Sequence, residues 1–175
     1  MARLSKDGES RPAENAGEGV DPLRLDLQLC FALYTASNLV TRLYWPHLQA
    51  LGLTYLQYLA LLALWERSPQ TVGELGRRLH LDSGTLTPLF KRLEGMELVT
   101  RTRDPQDERR VMIAVTEKAR ELRREALAVP RAVFSQIPLT LEEMVDLKAR
   151  LGQLIDGLSS GASGSGRIDG QEDPG

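Results

Sequence analysis

The chain has 175 residues, 42% of them apolar and 26% charged, and carries a net charge of −2. This suits one globular domain with a sizeable core, and no apolar run approaches the ~20 residues that span a bilayer. The N-terminus is polar and lacks an apolar signal core, and the one cysteine, Cys30, allows no disulfide within the chain; the expectation is a cytoplasmic protein with a reduced thiol and no membrane partner.

Residues 1–22 read as a disordered tail of balance −2, with three basic and five acidic side chains. Residues 159–175 read as a second, Gly/Ser-rich disordered tail with one basic and three acidic side chains, again −2. Residues 23–158 therefore carry +2, so a mildly acidic whole chain does not exclude a nucleic-acid partner.

A first helix is expected from about 25 to 47, because Leu25, Leu29, Leu33, Ala36, Val40 and Leu43 recur at helical spacing and Pro46 and Gly52 mark its end. Thr54 caps a second helix, Tyr55 to about Arg67, apolar almost all round and hence buried. Ser68-Pro69-Gln70 breaks it. Thr71 caps a third, Val72 to about Leu79, with Glu74 completing a capping box. His80-Leu81-Asp82 is a turn, and a fourth helix follows to about Met96. Leu98 to Arg103 and Arg109 to Val115 read as two strands around the turn Asp104-Pro105-Gln106-Asp107-Glu108. Two more helices are expected at about 117–137 and 141–158. Met144, Leu147, Leu151, Leu154 and Leu158 in the last form a narrow seam suited to a partner helix.

Two short helices joined by a three-residue turn and followed by a hairpin is the winged helix-turn-helix order. The predicted fold class is thus mostly α, a winged helix-turn-helix domain whose DNA-binding part covers about 54–116. The second helix of such a pair fits the major groove. Here its first turns, Ser83, Gly84, Thr85, Thr87 and Pro88, are small and hydroxyl-rich, which allows close approach to double-stranded DNA. Lys91 and Arg92 follow at phosphate reach, while Leu86, Leu89 and Leu93 should face the core. Pro88 inside the helix is awkward, and Thr87-Pro88 reads equally as the cap and first residue of a later start. On the hairpin, Arg109 is the candidate for a narrow minor groove, Asp107 for orienting its guanidinium, and Arg101 and Arg103 for the backbone.

Residues 25–158 resemble the MarR family of winged-helix regulators: Leu81-Asp82-Ser83-Gly84-Thr85-Leu86-Thr87-Pro88 and Asp104-Pro105-Gln106-Asp107-Glu108-Arg109-Arg110 are similar to its recognition helix and wing. The resemblance implies a homodimer joined through the N- and C-terminal helices, at about 25–47, 117–137 and 141–158. Within the family, Leu25-Asp26-Leu27-Gln28-Leu29-Cys30-Phe31-Ala32-Leu33-Tyr34 resembles the organic hydroperoxide resistance regulators. That resemblance makes Cys30 a redox sensor, hydrogen-bonded as thiolate by Tyr44 and Tyr55. Tyr44 lies 14 residues past Cys30, about 21 Å along one helix and within about 40° of the same face; if tyrosine and thiol do touch, they do so between two copies. The implied function is a repressor released from its operator when an organic hydroperoxide oxidises Cys30, the product being capped by a small cellular thiol, closed as a sulfenamide or overoxidised. The alternatives are a regulator answering a phenolic or anionic ligand, and a thiol peroxidase. No cofactor is called for, and His47 and His80 have no chelate spacing with Cys30, so no metal site is expected.

Overall fold

A computed structural model describes residues 21–164, with side chains to residue 160. The tail calls at 1–20 and 165–175 lie outside the described residues. The elements are α1 (Leu29–Ala50), α2 (Tyr55–Glu66), β1 (Gln70–Thr71), α3 (Val72–Leu79), α4 (Ser83–Gly95), β2 (Val99–Asp104), β3 (Asp107–Val115), α5 (Glu117–Ala126), α6 (Ala128–Phe134) and α7 (Leu141–Gly164). The chain forms two compact units, with the boundary between Leu39 and Val40.

In the first unit, a 3-10 turn at Leu25–Leu27 precedes α1, so the helix starts four residues later than the periodicity predicts. Gln28 is the cause: its backbone is extended, and its side-chain amide donates to the carbonyls of Pro22 and Arg24. No described residue of this unit is buried, and Leu25, Leu27, Leu29, Phe31, Tyr34 and Leu39 are all exposed.

The second unit is built around α2, which packs on α3, α4, α5 and β3 and buries Tyr58, Ala60, Leu61, Ala63 and Leu64. Thr54 and Gln57 form a capping box that starts α2, and Thr71 and Glu74 one that starts α3. The Trp65 indole donates to the Ala119 carbonyl at 2.9 Å, tying α2 to α5. The sheet is antiparallel in the order β1-β3-β2. Its third strand adds to the sequence reading: Gln70, taken as part of a break, and Thr71, read only as a helix cap, pair with Ile113 and Met112. The buried Gln70 amide also donates to the Ala63 carbonyl at 2.8 Å.

Four other boundaries differ from expectation. Helix α1 continues through Pro46 to Ala50 and ends where Leu53 donates back to the Leu48 carbonyl and Gly52 adopts φ 68°. The expected fifth helix is broken at Leu127 into α5 and α6, because Pro130 has no N–H for the Ala126 carbonyl. The second hairpin strand starts at Asp107 rather than Arg109. Helix α7 runs on through Ser159–Gly164, which the sequence assigned to a disordered tail; within this stretch the Ser160 hydroxyl donates to the Asp156 carbonyl at 2.8 Å.

The helix-turn-helix is tightly closed. His80 caps α3 in the left-handed region, and the amides of His80 and Leu81 both donate to the Gly76 carbonyl. A Cβ on Gly76 would stand 2.9 Å from Leu86 Cδ1 and 3.0 Å from the Leu81 carbonyl. Gly76→Ala should therefore destabilise the protein by about 1–3 kcal/mol through overpacking, read as a lower denaturation midpoint. Asp82 caps α4 by accepting the Thr85 amide and hydroxyl, and these bonds hold its carboxyl below the usual carboxylate value. A lowered folded-state value means that this contribution is present above the ordinary Asp value of 3.8 and is lost as pH falls through the folded one. The acid limb of stability should be shallower in Asp82→Asn, measured by denaturation between pH 2 and about 5.

Candidate functional site

Leu86, Leu89, Phe90 and Leu93 are buried and anchor one face of α4, so that Ser83, Gly84, Thr87, Pro88, Lys91 and Arg92 are exposed. Thr85 is half-buried. Pro88 sits inside the helix, which settles the start at Ser83 rather than at Thr87-Pro88. The Thr85 hydroxyl donates to Asp82 Oδ2 at 3.0 Å and the Thr87 hydroxyl to the Ser83 carbonyl at 2.8 Å.

The hairpin tip is set by two carboxylates. Asp104 accepts the Gln106 amide at 2.9 Å, and Asp107 accepts the Arg109 amide at 3.1 Å. Asp107 thus shapes the backbone under Arg109, where the sequence suggested a contact with the guanidinium. Arg103 and Arg109 are exposed. Arg101 is half-buried, with Nη1 3.4 Å from Glu94 Oε2 and Nε unpartnered. Two arginines that sequence reasoning missed, Arg77 on α3 and Arg110 on β3, join Arg101 and Arg109 around a cleft of about 400 Å³ that Thr71, Thr87 and Phe90 also line. Four guanidinium groups on one concave face are suited to phosphate oxygens. Nothing in linear spacing announces them, because the elements that carry them meet only in the fold.

In the first unit, Cys30 is exposed among the exposed apolar side chains already described. In the second, Tyr44 packs on Tyr55 with ring centroids 5.1 Å apart and on Tyr58 at 5.9 Å, both pairs tilted. Tyr58 was missed by the sequence reading, although its place three residues after Tyr55 puts both on one helix face. Burial raises all three phenols above the ordinary value of 10.0, with neighbouring phenols adding to the rise for Tyr44 and Tyr58, and Tyr58 is pushed up to about 12. All three are therefore neutral O–H donors at physiological pH. Trp45 is 63% exposed. His47 is half-buried with Nε2 unpartnered, and His80 is the α3 cap. Among the described residues, no group of three His, Cys, Asp or Glu can hold a metal, and no single helix is long and apolar enough to cross a membrane.

The profile of the SarA/Rot transcriptional regulators matches residues 42–126. The organic hydroperoxide resistance transcriptional regulator of Bacillus subtilis is 44% identical over 138 residues, covering 79% of this chain and 94% of the relative. AbfR of Staphylococcus epidermidis, solved reduced and bound to DNA, is 39% identical with a TM-score of 0.68 and covers 79% of this chain and 94% of its own. Overoxidised AbfR bound to DNA is 40% identical with a TM-score of 0.64, over 78% of this chain and 96% of its own. By its winged helix-turn-helix and a relative of that identity along nearly its full length, the chain belongs to the MarR-type winged helix-turn-helix transcription regulators, in the organic hydroperoxide resistance subgroup.

Proposed function

We propose that the protein is a homodimeric repressor that binds double-stranded operator DNA and leaves it when an organic hydroperoxide oxidises Cys30. The observation that carries the reading is a lone exposed thiol on an uncovered apolar helix face, in a chain that also holds two adjoining neutral phenols, Tyr44 and Tyr55.

The dimer is supported by what one chain fails to bury. Helix α7 has no buried residue among its described side chains, and Leu141, Val145, Leu147, Ile155 and Leu158 are exposed on it. In this reading a second copy that covers these faces also brings the Tyr44 and Tyr55 of one subunit to the Cys30 of the other, since 14 residues keep Tyr44 about 21 Å from the Cys30 of its own helix. Two phenol donors favour thiolate over thiol. The thiolate attacks one peroxide oxygen, the O–O bond breaks, and the alkoxide leaves as the alcohol after taking a proton; sulfur is oxidised to sulfenic acid and the peroxide reduced. A small cellular thiol then condenses with the sulfenic acid, giving a mixed disulfide and water. Overoxidised AbfR is bound to DNA, which favours the bulkier mixed disulfide as the releasing species. The displaced seam changes the spacing of the two recognition helices, which must match half-sites about 34 Å apart. On the DNA side, Ser83, Gly84, Thr85, Thr87 and Pro88 enter the major groove, Lys91, Arg92, Arg101 and Arg103 meet phosphates, and Arg109, set by Asp107, reaches the minor groove.

The four-arginine cleft favours a second reading, release by a phenolic or anionic ligand. Operator release by such a ligand from the Cys30→Ala protein would carry it.

In a gel-shift titration, Cys30→Ser should hold its operator at hydroperoxide levels that release the wild type; its release by peroxide would overturn the sensor. Tyr44→Phe and Tyr55→Phe should each slow thiol oxidation about tenfold at neutral pH in stopped flow, the size expected for one hydrogen bond to a charged group. Leu151→Glu in the α7 seam should weaken the dimer by a factor on the order of 30 or more, read by analytical ultracentrifugation.

A further inference from the structure

The sequence of α4 offers three hydroxyls, Ser83, Thr85 and Thr87, as hydrogen-bonding readers of base edges. The structure commits two of them elsewhere. Thr85 Oγ1 donates into the Asp82 cap and the residue is half-buried. Thr87 Oγ1 donates to the Ser83 carbonyl, and a hydroxyl has only one proton. With its hydroxyl turned back along the helix, the exposed Thr87 offers its Cγ2 methyl to a groove. The next residue, Pro88, is also exposed and offers a pyrrolidine ring with no N–H. Gly84, one turn earlier, adds no side chain, so nothing keeps a base edge at a distance. Gly84, Thr87, Pro88 and Lys91 fall at i, i+3, i+4 and i+7 and share one face. Helix α4 contains no Asn or Gln, the side chains that read adenine bidentately, and the long polar groups beside that face, Lys91 and Arg92, stand one turn further on. The one apolar feature that any base pair shows in the major groove is the thymine C5 methyl.

We propose that Thr87 and Pro88 form an apolar reading surface that selects thymine, through its C5 methyl, at one position of each operator half-site. This rests on the DNA-binding reading above and names the sequence feature which that site takes.

The test uses the full-length reduced protein and a duplex enriched by it from a random-sequence library. The duplex is then remade with deoxyuridine replacing thymidine at one position at a time, which removes only the methyl. Binding is measured for the wild type, Thr87→Val, which keeps the methyl and loses the hydroxyl, and Thr87→Ser, which does the reverse. At one thymine per half-site, uracil should weaken the wild type about fourfold, and about fifteenfold when both half-sites are changed, the loss expected for ~0.8 kcal/mol per methyl-sized group. Thr87→Val should bind as the wild type does and keep the uracil penalty. Thr87→Ser should bind the thymine duplex about as weakly as the wild type binds the uracil duplex, with most of the further penalty gone. Uracil neutral at every position, or affinity lost in Thr87→Val and kept in Thr87→Ser, overturns the proposal while leaving DNA binding intact. A library that yields no enriched duplex overturns the DNA-binding reading and the proposal with it.

Discussion

Apolar side chains that one chain leaves in water constrain everything else about this molecule. Helices α1 and α7 have 22 and 24 residues, yet Leu48 is the only buried residue among their described side chains. Most of the stability of such helices comes from packing an apolar face, because an isolated helix in water is marginal. These faces need a cover, and the shared surface of the proposed dimer supplies it at once for the helices that carry the thiol and the leucine seam. Sensing and folding would then depend on the same surface, so a change in what that surface can accommodate reaches the whole assembly.

The DNA-reading part is built to move as one piece. Helix α2 packs against three helices and a strand, Gly76 leaves no room between the two helices of the reading motif, and each of the helices α2, α3, α4 and α5 starts on a Thr or Asp side chain that accepts an amide of its first turn. Close-packed interiors shift between discrete arrangements and do not deform continuously. A unit of this kind loses an operator by standing in the wrong place with its reading surface intact, which is the form of release that a displaced dimer seam provides.

What the sequence disclosed followed the range of the forces involved. Caps at Thr54 and Thr71 were legible because a hydroxyl acts on an amide three residues away. The core face of α4 was legible because Leu86, Leu89 and Leu93 repeat at helical spacing. Strand β1 was not, since two residues carry no alternation and their partners Ile113 and Met112 on β3 lie 43 and 41 residues further along the chain. Proline was over-read at Pro46, where neighbouring turns hold the helix together, and under-read at Pro130, where the helix breaks. Arg77 was missed because the arginines it joins around the cleft stand on other elements. The hydroxyls of α4 were legible as residues and not as donors, since only the fold shows that Thr85 and Thr87 give their protons to Asp82 and to the Ser83 carbonyl.

Charge follows the same rule. A net −2 hides four guanidinium groups around one cleft, because attraction to a polyanion depends on where charge stands and little on its sum. The size of a modification is equally a matter of place. Two added oxygens on an exposed sulfur alter a surface slightly; the same sulfur inside a close-packed seam has no free volume around it. There a mixed disulfide, which adds a whole side chain, requires a larger displacement than two added oxygens do. With one cysteine per chain, the proposed switch thus turns on the bulk of what is joined to sulfur, and the oxidation level of sulfur matters chiefly by deciding whether a second thiol can still be joined to it.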